Sequence, residues 1–283
     1  MPEPAELLLI THNRLPYVKK SVARLFEDQS DFRVYWWDNA SKDGTTEWVE
    51  SLNEPRIVRK HHSEENVNQR DPTFWFFQES KSDVLGKIDD DILLPPGWTA
   101  QLARMVRADS RYGVLGCWIF MEEDWSEDWA NRRAIYVGGY KVLRNVGVQG
   151  QSCLARKEVL TAYASRDGYG FPVDQVRMTR DGFINGFPMP PPFGHNMDDP
   201  RSPHYIAQRE DQKGITAVKL GFKTTESYAK WIEADAWERQ RLPFPIQRAL
   251  YALDGMDGRV GNVLRRMVTP VLPTARAMRE GKG

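Results

Sequence analysis

Three apolar runs constrain this chain more than any other feature. Each closes on a polar turn, and helix-patterned segments separate them. Leu7 to Thr11 reads LLLIT, a continuous apolar stretch suited to a strand buried on both faces. Phe32 to Trp37 reads FRVYWW, rich in β-branched and aromatic residues. Val84 to Ile88 reads VLGKI and runs into Asp89, Asp90 and Asp91. After the first run, Leu15, Val18, Val22, Leu25 and Phe26 recur at helical spacing, and Pro16 suits a first helical turn. After the second, a helix is expected from near Thr45, with Trp48, Val49 and Leu52 on one face. A short strand over Arg56 to Arg59 and a helix carrying Phe74, Trp75 and Phe77 complete the series. Strand and helix thus alternate three times before a fourth strand. That order predicts an α/β fold, with a mostly parallel sheet, right-handed crossovers and flanking helices.

Beyond Asp91 the pattern loosens. A helix is expected from about Pro95 to Arg107, with Trp98, Leu102, Met105 and Val106 on one stripe. Strands are expected over Tyr112–Phe120, Ile135–Tyr140 and Gly147–Ala155, with a helix from Lys157. Met121 to Arg133 is acidic, holds Trp125 and Trp129, and reads as an excursion over the sheet edge. Asp167 to Asp211 is rich in Gly and Pro and reads as a long irregular functional loop or lid. After Tyr228 the character changes to amphipathic helices. Ile246, Ala249, Leu250 and Leu253 mark one, and Val260, Val263, Leu264, Met267 and Val268 another. The reading is a domain over residues 1–228 and a C-terminal helical extension over 229–283.

Composition removes several function classes. The 283 residues are 41% hydrophobic and 28% charged, which excludes a disordered chain. Thirty-nine basic residues balance 39 acidic ones, which argues against a nucleic-acid partner. Cys117 and Cys153 sit in apolar contexts without metal-ligand spacing and read as buried thiols. MPEPAELLLITHNR lacks the basic start and the long apolar stretch of a signal peptide, so the cytoplasm is the expected compartment.

Chemistry concentrates at the strand ends. Ligands of open α/β sheets bind at the carboxyl edge of the strands. Thr11-His12-Asn13-Arg14 ends the first strand, Asp38-Asn39-Ala40-Ser41-Lys42-Asp43-Gly44-Thr45 the second, and Asp89-Asp90-Asp91 the fourth. Three adjacent carboxylates repel one another and need positive compensation. Mg²⁺ or Mn²⁺ shared with a diphosphate would supply it, since both favour oxygen ligands. The competing reading is a solvated acidic turn.

These three motifs, in this order and spacing, resemble those of the GT-A nucleotide-sugar glycosyltransferases, in particular glycosyltransferase family 2. The resemblance is strongest over the first four strands. It implies a GT-A (Rossmann-like) fold and transfer of a sugar from a nucleotide-diphosphate donor, UDP-linked by preference. The acceptor would be a hydroxyl of a glycan or lipid-linked glycan, with inversion. It places Asp38 against the nucleobase, where an acceptor-only carboxylate selects an N–H edge. It sets Thr11, Asn13, Arg14 and Asn39 around the nucleotide. Asp91 becomes the direct metal ligand, and Asp89 a ribose or water-mediated partner. Asp90 leaves that register open. For Asp38 the alternative is an Asx-turn, and Asp43 reads as a helix cap with Gly44 relieving strain. Lys87 either offsets the carboxylates or lies on the surface. Arg14 faces phosphate or solvent.

An inverting transfer needs a base, and three acidic positions offer one. Asp198 and Asp199 in HNMDDPRSPH are favoured, with two histidines and an arginine around them. Asp174 in FPVDQV and Glu210-Asp211 are the others. His195 and His204 are candidate metal ligands or satisfied structural groups. Arg201 suits a diphosphate oxygen. Trp125 and Trp129 would stack on a sugar or pack internally. The last 29 residues hold six basic side chains, Arg259, Arg265, Arg266, Arg276 and Arg279 among them. They suggest peripheral membrane contact or a solvated helical cap. Two rivals remain. A sugar nucleotidyltransferase would carry a glycine-rich basic loop after the first strand, which THNRLP is not. A non-catalytic carbohydrate- or nucleotide-binding scaffold would keep the fold alone.

Overall fold

The computed structural model describes residues 3–165, 171, 173–206, 220–254 and 272–282. Its frame is a nine-stranded mixed sheet. In chain order the strands are β1 (Ala5–Thr11), β2 (Phe32–Asp38), β3 (Ile57–His62), β4 (Val84–Asp89), β6 (Tyr112–Gly116), β7 (Ala134–Val137), β8 (Tyr140–Asn145), β9 (Ser152–Arg156) and β10 (Ile184–Pro188). Across the sheet they run β3-β2-β1-β4-β9-β6-β10-β8-β7. The strands β3, β2, β1 and β4 are mutually parallel, as the alternating pattern predicted. Antiparallel β9 then separates β4 from β6. A second, two-stranded sheet pairs β5 (Ile92–Leu93) with β11 (His195–Asn196).

Continuous apolar strands have two buried faces, and β1 shows how both are used. Leu7 and Leu9 pack with Val18, Val22 and Leu25 of α1 (Leu15–Glu27). That layer extends to Trp98, Leu102 and Val106 of α4 (Trp98–Ala108). Leu8 faces the other way, toward Phe76 and Phe77 of α3 (Arg70–Glu79). The same second layer holds Tyr228, Ile232 and Ala236 of the helix Thr225–Arg241. That helix runs through residue 228 without a break and contributes to the main core.

Asp43 ties two helix starts together. It accepts from the Leu15 N–H (2.9 Å) at the start of α1 and from the Thr45 N–H (3.1 Å) at the start of α2 (Thr45–Ser51). Gly44 between them has φ 89°, which favours glycine.

The second half departs from the sequence pattern in four places. The strand expected over Tyr112–Phe120 stops at Gly116, and Trp118 instead exchanges backbone bonds with Pro192 and Gly194. The strand expected over Ile135–Tyr140 is a hairpin of β7 and β8, with Gly138 and Gly139 both at positive φ in its turn. The strand expected from Gly147 begins only at Ser152. The stretch expected to be irregular from Asp167 contains α7 (Gln175–Arg180), β10 and β11. β10 lies inside the sheet between β6 and β8, although its sequence, INGFP, reads poorly as a strand. Two residues explain the exception. Buried Asn185 accepts from the Val114 N–H and donates to the Val146 carbonyl, so its polar side chain is satisfied in the core. A Cβ on Gly186 would stand 2.2 Å from the Leu143 carbonyl oxygen, so only glycine lets β8 approach.

Of the C-terminal helices, Phe244–Asp254 is present, and a further one spans Pro273–Lys282. The amphipathic pattern at 260–268, with Arg259, Arg265 and Arg266, lies outside the described residues, as do Glu210 and Asp211. No helix among the described residues is long and apolar enough to cross a membrane.

Candidate active site

The parallel strands β1, β2 and β4 bring their carboxyl ends to one rim. β1 ends on buried Thr11, and Asn13 follows in the left-handed region at φ 51°. That turn places Arg14 at the N-terminus of α1, with its guanidinium directed at the end of β4. A second route closes the site from far along the chain. β11 pairs with β5 through His195 opposite Leu93 and Asn196 opposite Ile92, and the Met197 N–H donates to the Asp91 carbonyl (2.8 Å). Asp198 therefore faces the triple-aspartate turn.

Arg14 stands among three of these carboxylates. Its Nη1 lies 2.8 Å from Asp91 Oδ2 and 3.4 Å from Asp90 Oδ1, and its Nη2 donates to Asp198 Oδ2. The guanidinium also lies over the Tyr17 ring, 4.6 Å from its centroid. Burial alone would depress Arg14, but Asp91, Asp90 and Asp198 reverse this and hold it firmly protonated. The Asp90 and Asp91 carboxyls are both pushed well above the usual range. Burial is the main cause; Arg14 opposes it, and the neighbouring aspartates add to it. Asp89 is paired with Lys87, whose side chain is fully buried within the sheet. Lys87 is therefore an internal counter-ion and not a surface lysine. Among the described residues, these four carboxylates are paired with Arg14 and Lys87. One atom remains without a partner: Asp91 Oδ1 is buried and makes no hydrogen bond.

Behind this centre lies a second acid–arginine cluster. Arg201 binds Asp199 through Nε (3.1 Å) and Nη2 (2.7 Å), and the Arg201 N–H adds a backbone bond (2.9 Å). Its Nη1 and Nη2 also hold both oxygens of Asp124, at 3.0 and 2.8 Å. Burial opposes protonation of Arg201, and its two carboxylates overcome that and raise it. Arg201 is thus engaged by carboxylates in this state, not by an open phosphate site. Asp124, in the 3-10 turn Glu122–Asp124, was not singled out in the sequence. Its only signal there is the acidic run Glu122-Glu123-Asp124, which by itself reads as a solvated turn.

Asp38, at the tip of β2, is buried and accepts from three hydroxyls. Thr11 (3.1 Å) and Ser41 (2.5 Å) bind one oxygen, and Thr46 (2.5 Å) binds the other. His62 Nδ1 lies 3.7 Å from that second oxygen, and its Nε2 meets Glu50. Asn39 fastens the loop after β3, donating to Asn66 and Val67 and accepting from the Val67 N–H. Asn13 accepts from the Lys42 N–H (2.6 Å), so the turns after β1, β2 and β3 are bound together. His12 bonds the Asn39 carbonyl, an acceptor only, so its Nδ1 carries the proton and Nε2 accepts from Asn66.

The remaining candidates have partners of their own. The Asp174 side chain caps α7, accepting from the Arg177 N–H (2.8 Å). His195 and His204 stack edge to face on each other, with centroids 4.9 Å apart, and burial lowers the His195 imidazole. Trp125 packs on Trp118 and Phe193. Trp129 packs against the Arg132 and Arg241 guanidiniums. Both cysteines are free, buried thiols.

The model of "Glycosyl transferase family 2" matches residues 7–172, more than half of the chain and all of the three-strand rim. The chain belongs to glycosyl transferase family 2. It is a glycosyltransferase, and its sheet is the GT-A fold. Among solved structures it is similar to the mannosyltransferase PcManGT from Pyrobaculum calidifontis, in complex with GDP-Man and Mn²⁺. Identity is 14%, TM-score 0.58, and the match covers 100% of this chain and 87% of that one. It is also similar to S. aureus TarS 1-349 in complex with UDP-GlcNAc, at 12% identity and TM-score 0.54, over 90% of this chain and 76% of that one. No curated protein matches.

Proposed function

We propose that this glycosyltransferase is metal-dependent and uses a UDP-sugar, passing the sugar with inversion to a hydroxyl of a glycan or lipid-linked glycan. The observation that carries the reading is the bare, buried Asp91 Oδ1 in a cluster with Asp90, Asp198 and Arg14. Such an oxygen suits Mg²⁺ or Mn²⁺. No three His, Cys, Asp or Glu side chains form a complete metal cage among the described residues. Asp91 would hold the ion together with a donor diphosphate, since hard divalent ions favour oxygen ligands. Asp89, His195 and His204 remain further candidate ligands. When bound, the ion supplies Lewis-acid neutralisation of the departing nucleoside diphosphate. Support for a nucleotide-sugar donor comes from the structural neighbours, which hold GDP-Man with Mn²⁺ and UDP-GlcNAc.

The chain's own groups would do the rest. Asp38 has three hydroxyl donors on its two oxygens, which leaves one acceptor position for a nucleobase N–H. Thr11, Asn13 and Asn39 hold the turns against which the nucleoside would lie. Arg14 is placed to pair with a diphosphate oxygen. Asp198 is the favoured base, because it faces the metal and phosphate side, whereas Asp199 is clamped by Arg201. The acceptor oxygen attacks the anomeric carbon as its proton passes to the Asp198 carboxylate. The bond from that carbon to the phosphate oxygen breaks, and the electron pair leaves on the nucleoside diphosphate.

Calorimetric titration of UDP and GDP, each with and without Mn²⁺, tests this reading on the unaltered protein and on Asp91→Ala. Metal-dependent UDP binding that is lost in the variant is expected. Preference for GDP would overturn the donor. Absence of binding by either nucleotide in folded protein would overturn the site and leave a scaffold. The cytoplasmic location and the membrane contact of the C-terminal basic helices belong to the same proposal, and a fractionation of cells tests them.

A further inference from the structure

We infer that Arg14 is a built-in counter-ion that occupies the cation position of the donor-free enzyme, and that the metal must displace it to open the site. This rests on the metal-dependent reading above and goes beyond it, because it assigns one side chain the control of metal entry. The geometry has three parts. Arg14 contacts Asp90 and Asp91 of the β4 turn, and Asp198, which is 184 residues from Arg14 in sequence. A single guanidinium thereby fastens the two halves of the site. Its charge is one, and among the described residues it faces Asp90, Asp91 and Asp198 while Lys87 pairs with Asp89. The pairing is incomplete, since Asp91 Oδ1 is buried without a partner. A compact divalent ion can satisfy that oxygen, and a planar guanidinium already committed to Oδ2 does not.

Two consequences follow. Any ligand that needs a minor state binds more weakly by the fraction of molecules in that state. Mn²⁺ alone therefore binds weakly while Arg14 holds Asp91. A donor arriving with the metal offers Arg14 a diphosphate oxygen in exchange for its carboxylates, so metal and nucleotide bind cooperatively. Displacement also breaks the contact between Arg14 and Asp198, so metal entry separates the two segments that the guanidinium joins.

The test uses Mn²⁺ alone as the probe, followed by calorimetry, with Arg14→Gln and Arg14→Lys beside the unaltered protein. Removing the guanidinium should tighten Mn²⁺ binding at least about tenfold in Arg14→Gln, with Arg14→Lys between the two. Thermal shift in EDTA and in Mn²⁺ should show a larger metal-induced rise for Arg14→Gln than for the unaltered enzyme. Equal or weaker Mn²⁺ binding by Arg14→Gln would overturn the inference. Phenylglyoxal labelling of the unaltered protein does not depend on the variants folding. Modification of the Arg14 peptide, located by mass spectrometry, should speed up when saturating Mn²⁺ is added. An unchanged rate would overturn the inference. If UDP or GDP still binds with Mn²⁺ while these results are negative, the counter-ion role fails and the transferase reading stands. If neither nucleotide binds the unaltered protein, the transferase site itself fails.

Discussion

Two arginines in this enzyme each stand between carboxylates, and they end in opposite states. Arg201 makes paired contacts with Asp124 and Asp199, and its own N–H closes the loop. Arg14 reaches three aspartates and leaves a buried oxygen of Asp91 bare. Both clusters are largely buried, so dielectric does not separate them. Stoichiometry does. Two carboxylates around one forked guanidinium can be satisfied, whereas the three that Arg14 faces leave Asp91 Oδ1 without a hydrogen bond. A satisfied cluster holds a loop in place. An under-satisfied one is poised for a further cation, and charge left over at a sheet rim is the sign of a site.

The largest expected effect breaks the satisfied cluster. Arg201→Ala leaves buried Asp124 and Asp199 unpaired, and urea unfolding should show a loss of about 3 kcal/mol. Stability unchanged by that substitution would dissolve the contrast between the two arginines. A second effect sharpens the unsatisfied cluster. The Asp90 and Asp91 carboxyls are raised in the folded protein, so the native state binds more protons than the unfolded chain. Their contribution is therefore fully present below the unfolded carboxyl range. It is lost as pH rises through the window between that range and the raised native one, at most about 1.4 kcal/mol per pH unit for each group. Thermal unfolding in EDTA across that window should fall less steeply for Asp91→Asn than for the unaltered protein, and Mn²⁺ should flatten the unaltered profile. An identical slope in the two proteins would mean that Asp91 is adequately paired. The smallest effect uses a carboxylate outside both clusters. Asp174→Ala removes the cap of α7 and should cost about 1 kcal/mol in urea unfolding, with nucleotide titration unchanged. Lost nucleotide binding in that variant would bring Asp174 back toward the site.

Legibility follows the same division. β1, β2 and β4 were readable because a strand buried on both faces has to be apolar throughout, and LLLIT, FRVYWW and VLGKI are nearly so. β10 was not readable. Its place in the sheet depends on Asn185 finding partners from β6 and the Val146 segment, and on Gly186 admitting β8. Those reasons are contacts, and no local pattern carries them. In the site, Asp38 and Asp89 to Asp91 were legible from position at strand ends. Arg14 was undecided between phosphate and solvent, because its partners Asp198 and Asp91 are distant in sequence. Asp124 carried no signal, since its role exists only through Arg201.

What this sequence determined alone is the alternation of buried strands and amphipathic helices, and the convergence of three polar strand ends on one rim. Period and apolar content are local properties, and a parallel sheet follows from them through the handedness of crossovers. What only the tertiary structure decided is which charges meet. The pairing of β5 with β11 sets Asp198 opposite Asp91, seats Arg14 between them and leaves one oxygen bare. Charge pairing falls off within a few ångströms, and separations that small between distant residues exist only after the chain has folded.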